Sequence, residues 1–181
     1  MSAFVINRKV RLRIGFLFGI AYLVFARPTP GSLLLGLPVA LAGLVVRAWA
    51  AGHIVKNEQL TMSGPYAHTR NPLYFGSFLI AAGFALAAHW SLLLVVIALF
   101  AFIYGPTIEQ ERTSVSARFP EDYARYEASV PPFVPRLTPW RGQTGGESFS
   151  FSLYMRQREW QAGLAFLAAS AWLIARSTLG F

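Results

Sequence analysis

The chain has 181 residues, of which 55% are hydrophobic and only 13% charged, with no cysteine and a formal net charge of +8. A soluble domain carries roughly 25% charged residues, so this composition cannot wet a globular surface. The missing thiols exclude a disulfide scaffold, a cysteine nucleophile and a thiolate metal site. The basic residues sit between long apolar runs rather than on one polar face, which points to a polytopic membrane protein and away from nucleic acid.

In chain order the apolar runs are Leu12–Ala26, Gly31–Ala51, Leu73–Ala88, Ser91–Gly105 and Trp160–Ala175. They predict an all-α membrane protein of five spanning helices. A span needs about 20 residues. Only the second run reaches that length, so the others draw a turn from flanks such as Arg13, Ile108 and Arg176. Arg27-Pro28 is a poor cleavage site, so the first run reads as a retained helix and not a signal peptide. Fourteen of the sixteen basic residues fall before the first run, around the second-to-third connection, or between the fourth and fifth runs. The positive-inside rule then puts the N-terminus in the cytoplasm and the C-terminus outside.

Two segments on the cytoplasmic side hold most of the polar groups: 52–72 and 106–159. In the first, Gly64-Pro65 marks a turn, and Tyr66, His68 and Arg70 lead into Asn71-Pro72-Leu73-Tyr74-Phe75-Gly76. Pro72 suits the first position of a helix, whose free N–H groups favour an anionic ligand group. Equally, Arg70, Tyr66 and Tyr74 fit an interfacial loop anchored to membrane lipids. In the second segment Val115, Phe119, Tyr123 and Tyr126 form one apolar stripe at helical spacing. Glu111 sits at the inner end of an apolar helix, where a carboxylate calls for a partner: Arg112, a capping pair or a cationic ligand. Residues 138–148, with Gly142, Gly145 and Gly146, read as loop.

Together the segments resemble the isoprenylcysteine carboxyl methyltransferase family of integral membrane enzymes, which has many bacterial members. The family pattern is a Gly-x-Tyr turn, then Arg-(His/Asn)-Pro-x-Tyr-x-Gly. A helical hairpin and a Glu-Glu-x-x-Leu-x-x-x-Phe-Gly-x-x-Tyr-x-x-Tyr-x-x-x-Val-Pro stretch follow. This chain offers Gly64-Pro65-Tyr66 and Arg70-Asn71-Pro72-Leu73-Tyr74-Phe75-Gly76. It then offers Glu111, Val115, Phe119, Tyr123, Tyr126 and Val130-Pro131 at the matching intervals. The match covers residues 52–135 of what reads as a single domain, 1–181, with residues 148–176 forming an interfacial segment and the fifth helix.

The resemblance implies S-adenosylmethionine as methyl donor at the cytoplasmic face, a bacterial inner-membrane location, and a lipophilic or prenylated acceptor arriving from the bilayer. Carried over by position, the donor contacts are Lys56, Glu58, Gln59, Leu60, Thr61, Tyr66, Asn71, Pro72, Leu73, Tyr74 and Glu111. No metal is implied. No GxGxxG follows a strand, so the soluble dinucleotide-type fold is not expected. Asn71 stands where the family usually has His, and Arg112 where it has a second Glu. Thr107 stands where the family has the Arg that orients the acceptor carboxylate, and a hydroxyl offers no bidentate fork. Candidates for catalysis are Arg70 and Arg112 as replacement cations, and His53 and His68 as groups that titrate near neutrality. Other readings are a phospholipid or amine N-methyltransferase, a membrane reductase of the same architecture, and a non-catalytic membrane assembly protein.

Overall fold

A computed structural model of the chain describes residues 24–54, 59–142 and 148–180, together with Arg13, Phe16, Gly19, Ile20 and Tyr22. Among the described residues every regular element is helical. Helix α1 spans Pro30–Ala51, α2 Pro72–Ala88, α3 Ser91–Arg118, α4 Pro120–Ser129, α5 Phe151–Arg156 and α6 Trp160–Leu179, with a 3₁₀ turn at Gly64–Ala67. Helices α1, α3 and α6 are long and apolar enough to cross a membrane; α2 is a shorter apolar helix of 17 residues. Of the first expected span, the described residues from Arg13 to Phe25 are helical, and the others lie outside the description.

Local chemistry explains the ends. A capping box opens α1: Thr29 Oγ1 accepts from the Ser32 amide at 3.1 Å, and Ser32 Oγ accepts from the Thr29 amide at 2.9 Å. Pro72 and Pro120 occupy the first positions of α2 and α4, where their missing N–H costs nothing. Helices α1 and α2 pack antiparallel with backbones in near contact. A Cβ on Gly76 would lie 2.7 Å from the Gly43 carbonyl oxygen and 2.7 Å from Arg47 Cγ. Only glycine permits that approach, and it lets the Arg47 side chain cross α2. At the opposite end of the pair, Ala26, Ala87, Ala88 and Leu173 form a buried cluster flanked by Tyr22 and Trp172. There Arg176 Nε donates to the Ala26 carbonyl at 2.8 Å, tying the end of α6 to the chain before α1.

Three expectations change. The fourth run, Ser91–Gly105, was expected to borrow only a turn, to about Ile108, yet α3 continues through Pro106 to Arg118. Pro106 lacks the N–H that would bond the Phe102 carbonyl, an interruption that apolar helices tolerate, and beside it Thr107 Oγ1 donates to the Ile103 carbonyl at 3.0 Å. The stripe from Val115 to Tyr126 is not one helix. Phe119 leaves helical geometry (φ −130°, ψ 63°) because the residue before a proline disfavours the α conformation. All four stripe residues nevertheless meet in one cluster with Met62 and Val130. Helix α2 gains only Pro72 beyond the predicted run, so at about 26 Å it stays shorter than the hydrocarbon layer.

Candidate functional site

The two signature segments, far apart in sequence, pack against each other. The buried Tyr126 hydroxyl donates to the Tyr66 carbonyl at 2.7 Å. The Arg70 amide donates to the Pro131 carbonyl at 2.9 Å, Asn71 Nδ2 to the Pro132 carbonyl at 2.8 Å, and Thr69 Oγ1 to the Phe133 carbonyl at 2.9 Å. Further along, the Arg136 and Trp140 amides donate to the carbonyls of His68 and Ala67, each at 2.9 Å. These bonds clamp the loop that precedes α2 between α4 and the chain that follows it. The val–pro end of the second segment thus serves as backbone partner for the first.

Between the segments lies a cavity of about 740 Å³, bounded also by α1, α3 and the residue that opens α6. Of the eleven expected donor contacts, Gln59, Leu60, Thr61, Tyr66, Asn71, Pro72, Leu73, Tyr74 and Glu111 line it. Lys56 and Glu58 lie outside the described residues. Of the α3 residues in the lining, Tyr104, Ile108, Glu111, Val115 and Arg118 recur every three or four residues along one face, and Glu109, Arg112 and Ser114 flank it. Arg112 does not neutralise Glu111. Its guanidinium takes Glu109 instead, with Nε 2.9 Å from both carboxylate oxygens, and reaches Glu127 at 3.5 Å. Glu111 makes no ion pair with any described residue.

Arg70 also lines the cavity, and its Nη1 donates to Glu127 Oε1 and, at 3.1 Å, to the Tyr123 hydroxyl. Glu127 therefore bridges Arg70 and Arg112, the two expected replacement cations. His53 and His68 are not cavity residues. His53 is buried, with Nδ1 2.9 Å from the Trp49 carbonyl and its ring against Phe149. His68 Nδ1 lies 2.8 Å from the Arg136 carbonyl. Both tie loops together. Thr107, bonded back to its own helix, is likewise absent from the lining.

Sequence reasoning missed three residues here. Arg47 of α1 sends Nε and Nη2 to the two carboxylate oxygens of Glu159 at 3.0 and 2.6 Å, while its Nη1 donates to Ser77 Oγ. Arg47, Ser77 and Glu159 all line the cavity. A cation inside an apolar run was the available signal, since ionisable groups within spans mark working sites more often than not. Two buried polar atoms on lining residues, the Tyr66 hydroxyl and Arg70 Nε, have no hydrogen-bond partner among the described residues. Burial pushes the Tyr66 hydroxyl well above its ordinary value, with Tyr126, Glu111 and Glu159 adding to the rise and Arg47 opposing it. It stays a protonated donor at neutral pH.

Comparisons with known proteins bear on the family. A family model described as phospholipid methyltransferase matches residues 33–122. The cobalt-zinc-cadmium resistance protein CzcN of Cupriavidus metallidurans is 33% identical over 78% of this chain and 68% of its own length. The nickel-cobalt-cadmium resistance protein NccN of Alcaligenes xylosoxydans xylosoxydans is 35% identical, over 61% of this chain and 52% of its own. The protein-S-isoprenylcysteine O-methyltransferase of Schizosaccharomyces pombe is 29% identical over 67% of this chain and 54% of its own. No solved structure matches the chain significantly. With both signature segments at one cavity and these similarities, the chain belongs to the isoprenylcysteine carboxyl methyltransferase-like family of membrane methyltransferases.

Proposed function

We propose that the protein transfers a methyl group from S-adenosylmethionine to a lipophilic acceptor at the cytoplasmic face of a bacterial inner membrane. The observation that carries this reading is the convergence of nine expected donor contacts on one cavity formed by the two signature segments. The residues present fit such a donor. Glu111, which makes no ion pair with any described residue, is a carboxylate suited to an ammonium group or to ribose hydroxyls. Asn71 spends its amide on Pro132 and makes no side-chain cap on α2, leaving the helix start available to a carboxylate. The orphaned Tyr66 hydroxyl and Arg70 Nε are donors in want of an acceptor.

The sulfonium of the donor supplies a methyl group already activated for transfer, so little acid–base machinery is required. The protein's contribution is alignment. Tyr66, held through its carbonyl by Tyr126, and Arg70, held by Glu127 and Tyr123, form a rigid wall against which the donor is fixed. Tyr74 and Tyr104, with ring centroids 5.5 Å apart, offer an aromatic wall for the acceptor. Five spans, with the N-terminus inside and the C-terminus outside, place the cavity at the cytoplasmic boundary; the distribution of fourteen of sixteen basic residues supports that arrangement. The two resistance proteins carry names that state a phenotype and no reaction. The deciding experiment is calorimetry of the purified full chain in detergent with S-adenosylhomocysteine. Micromolar binding is expected; no binding at millimolar ligand overturns the reading.

A further inference from the structure

At the helical end of the cavity, farthest along α2 and α3 from the signature loop, the lining residues are Arg47, Ser77, Tyr104, Ile108 and Glu159. If the loop end holds the methyl donor, as proposed above, this end receives the acceptor. The family's carboxylate-orienting Arg is replaced here by Thr107, whose hydroxyl bonds its own helix and which does not reach the lining. Arg47 is the cation that stands at this end in its stead. Its bidentate edge, the one that would grip an acceptor carboxylate, is filled by Glu159 at 2.6 and 3.0 Å. The remaining terminal nitrogen donates to Ser77 Oγ, which itself donates to the Leu73 carbonyl at 2.8 Å. The guanidinium is therefore held on both of its edges.

We propose that Glu159 is a specificity-determining residue: by occupying the fork of Arg47 it keeps this end of the cavity electrically neutral and selects uncharged lipophilic acceptors over carboxylates. Four features of the site support it. The pair is largely desolvated, with side-chain exposures of 24% for Arg47 and 12% for Glu159. An anionic acceptor would have to displace Glu159 and leave that carboxylate buried without a cation, which is the costly outcome for a buried pair. Arg70 and Arg112, the other two candidate cations, already hold Glu127 and Glu109. And the pair lines the same cavity as Tyr66 and Glu111.

The inference rests on the methyl-transfer reading for the word acceptor, but its test needs no turnover. The full chain in detergent is titrated calorimetrically with N-acetyl-S-farnesylcysteine, an anionic probe, and with its uncharged carboxamide. Wild type is expected to bind the carboxamide at least about tenfold more tightly than the carboxylate. Glu159→Gln should free the fork and tighten carboxylate binding by about tenfold or more, with the carboxamide unchanged. Glu159→Asp, which keeps the charge, should keep the wild-type preference. Equal binding of the two probes by wild type, or no binding of either, overturns the proposal even if Glu159→Gln fails to fold. So does a Glu159→Gln protein that weakens both probes alike, because a mere tether between α1 and α6 behaves that way. S-Adenosylhomocysteine titrated in parallel separates the two claims. Its binding without probe discrimination sinks this inference alone; discrimination without its binding supports the selective site and sinks the methyl-transfer reading.

Discussion

Glu111 and Glu109 stand two residues apart on α3, about 200° around the helix, and their circumstances differ. Glu111 belongs to the cavity face with Tyr104, Ile108, Val115 and Arg118, and makes no ion pair with any described residue. Glu109 also lines the cavity but is occupied by Arg112 through three contacts of 2.9, 2.9 and 2.6 Å. Glu111→Ala removes a charge-assisted hydrogen bond to the donor, a contribution of about 1.5–3 kcal/mol. Glu111 is solvent-exposed, which places the loss toward the lower end of that range, near a tenfold rise in the dissociation constant. Glu109→Ala leaves Arg112 still facing Glu127 and leaves Glu111 untouched, so donor affinity should move by less than about threefold. The assay is calorimetry with S-adenosylhomocysteine on both variants, with thermal unfolding in the same detergent as the fold control. Equal losses from the two variants would refute the assignment of this helix face.

Other outcomes are expected from the same geometry. Tyr126→Phe deletes one oxygen and orphans the buried Tyr66 carbonyl, so it should lower stability by about 1–3 kcal/mol while the ring packing on Trp140 survives; chemical denaturation in detergent reads this. Gly76→Ala drives a Cβ to 2.7 Å from both Arg47 Cγ and the Gly43 carbonyl, and should destabilise by about 1–3 kcal/mol, visible as a lower melting temperature. His53→Ala and His68→Ala should reduce stability but leave donor affinity within about twofold, because neither ring lines the cavity. Burial raises the hydroxyl pKa of Tyr66, Tyr123 and Tyr126 above the ordinary value near 10. Their folded forms retain protons that the unfolded chain gives up, so stability should be full below about pH 10 and fall as pH rises beyond it. Melting curves at pH 8 to 11 check the sign, and Tyr126→Phe should flatten the decline. Reporter fusions after Phe181 should be active only outside the cytoplasm.

Hydropathy reveals helices because a span must be apolar along its whole length, so four of the five apolar runs reappear as described helices. Their ends are less legible. The fourth apolar run, even lengthened to Ile108, stops well short of the end of α3, which continues through Pro106 into the polar residues up to Arg118. Pro120 looks like one residue within a continuous stripe, and it divides two helices. The motif residues around the cavity were readable since each segment is compact in sequence: residues 64–76 form one turn and helix start, and 111–131 one helix end and the next helix.

What one sequence does not display is pairing between distant segments. Arg70 and Glu127 are 57 residues apart, and Arg47 and Glu159 are 112 apart. Each cation alone reads as part of the positive-inside tally, a statistical property of the chain. Folded, each acquires a carboxylate that cancels its charge within the cavity wall. That cancellation changes the chemistry more than any motif residue does. A cavity read from its motifs would offer Arg70 or Arg112 to an anionic acceptor; with Glu127, Glu109 and Glu159 in place, Arg47, Arg70 and Arg112 are already engaged. The donor end of the site follows from residues that are adjacent in sequence, whereas the choice of acceptor is set by pairs that only the fold assembles.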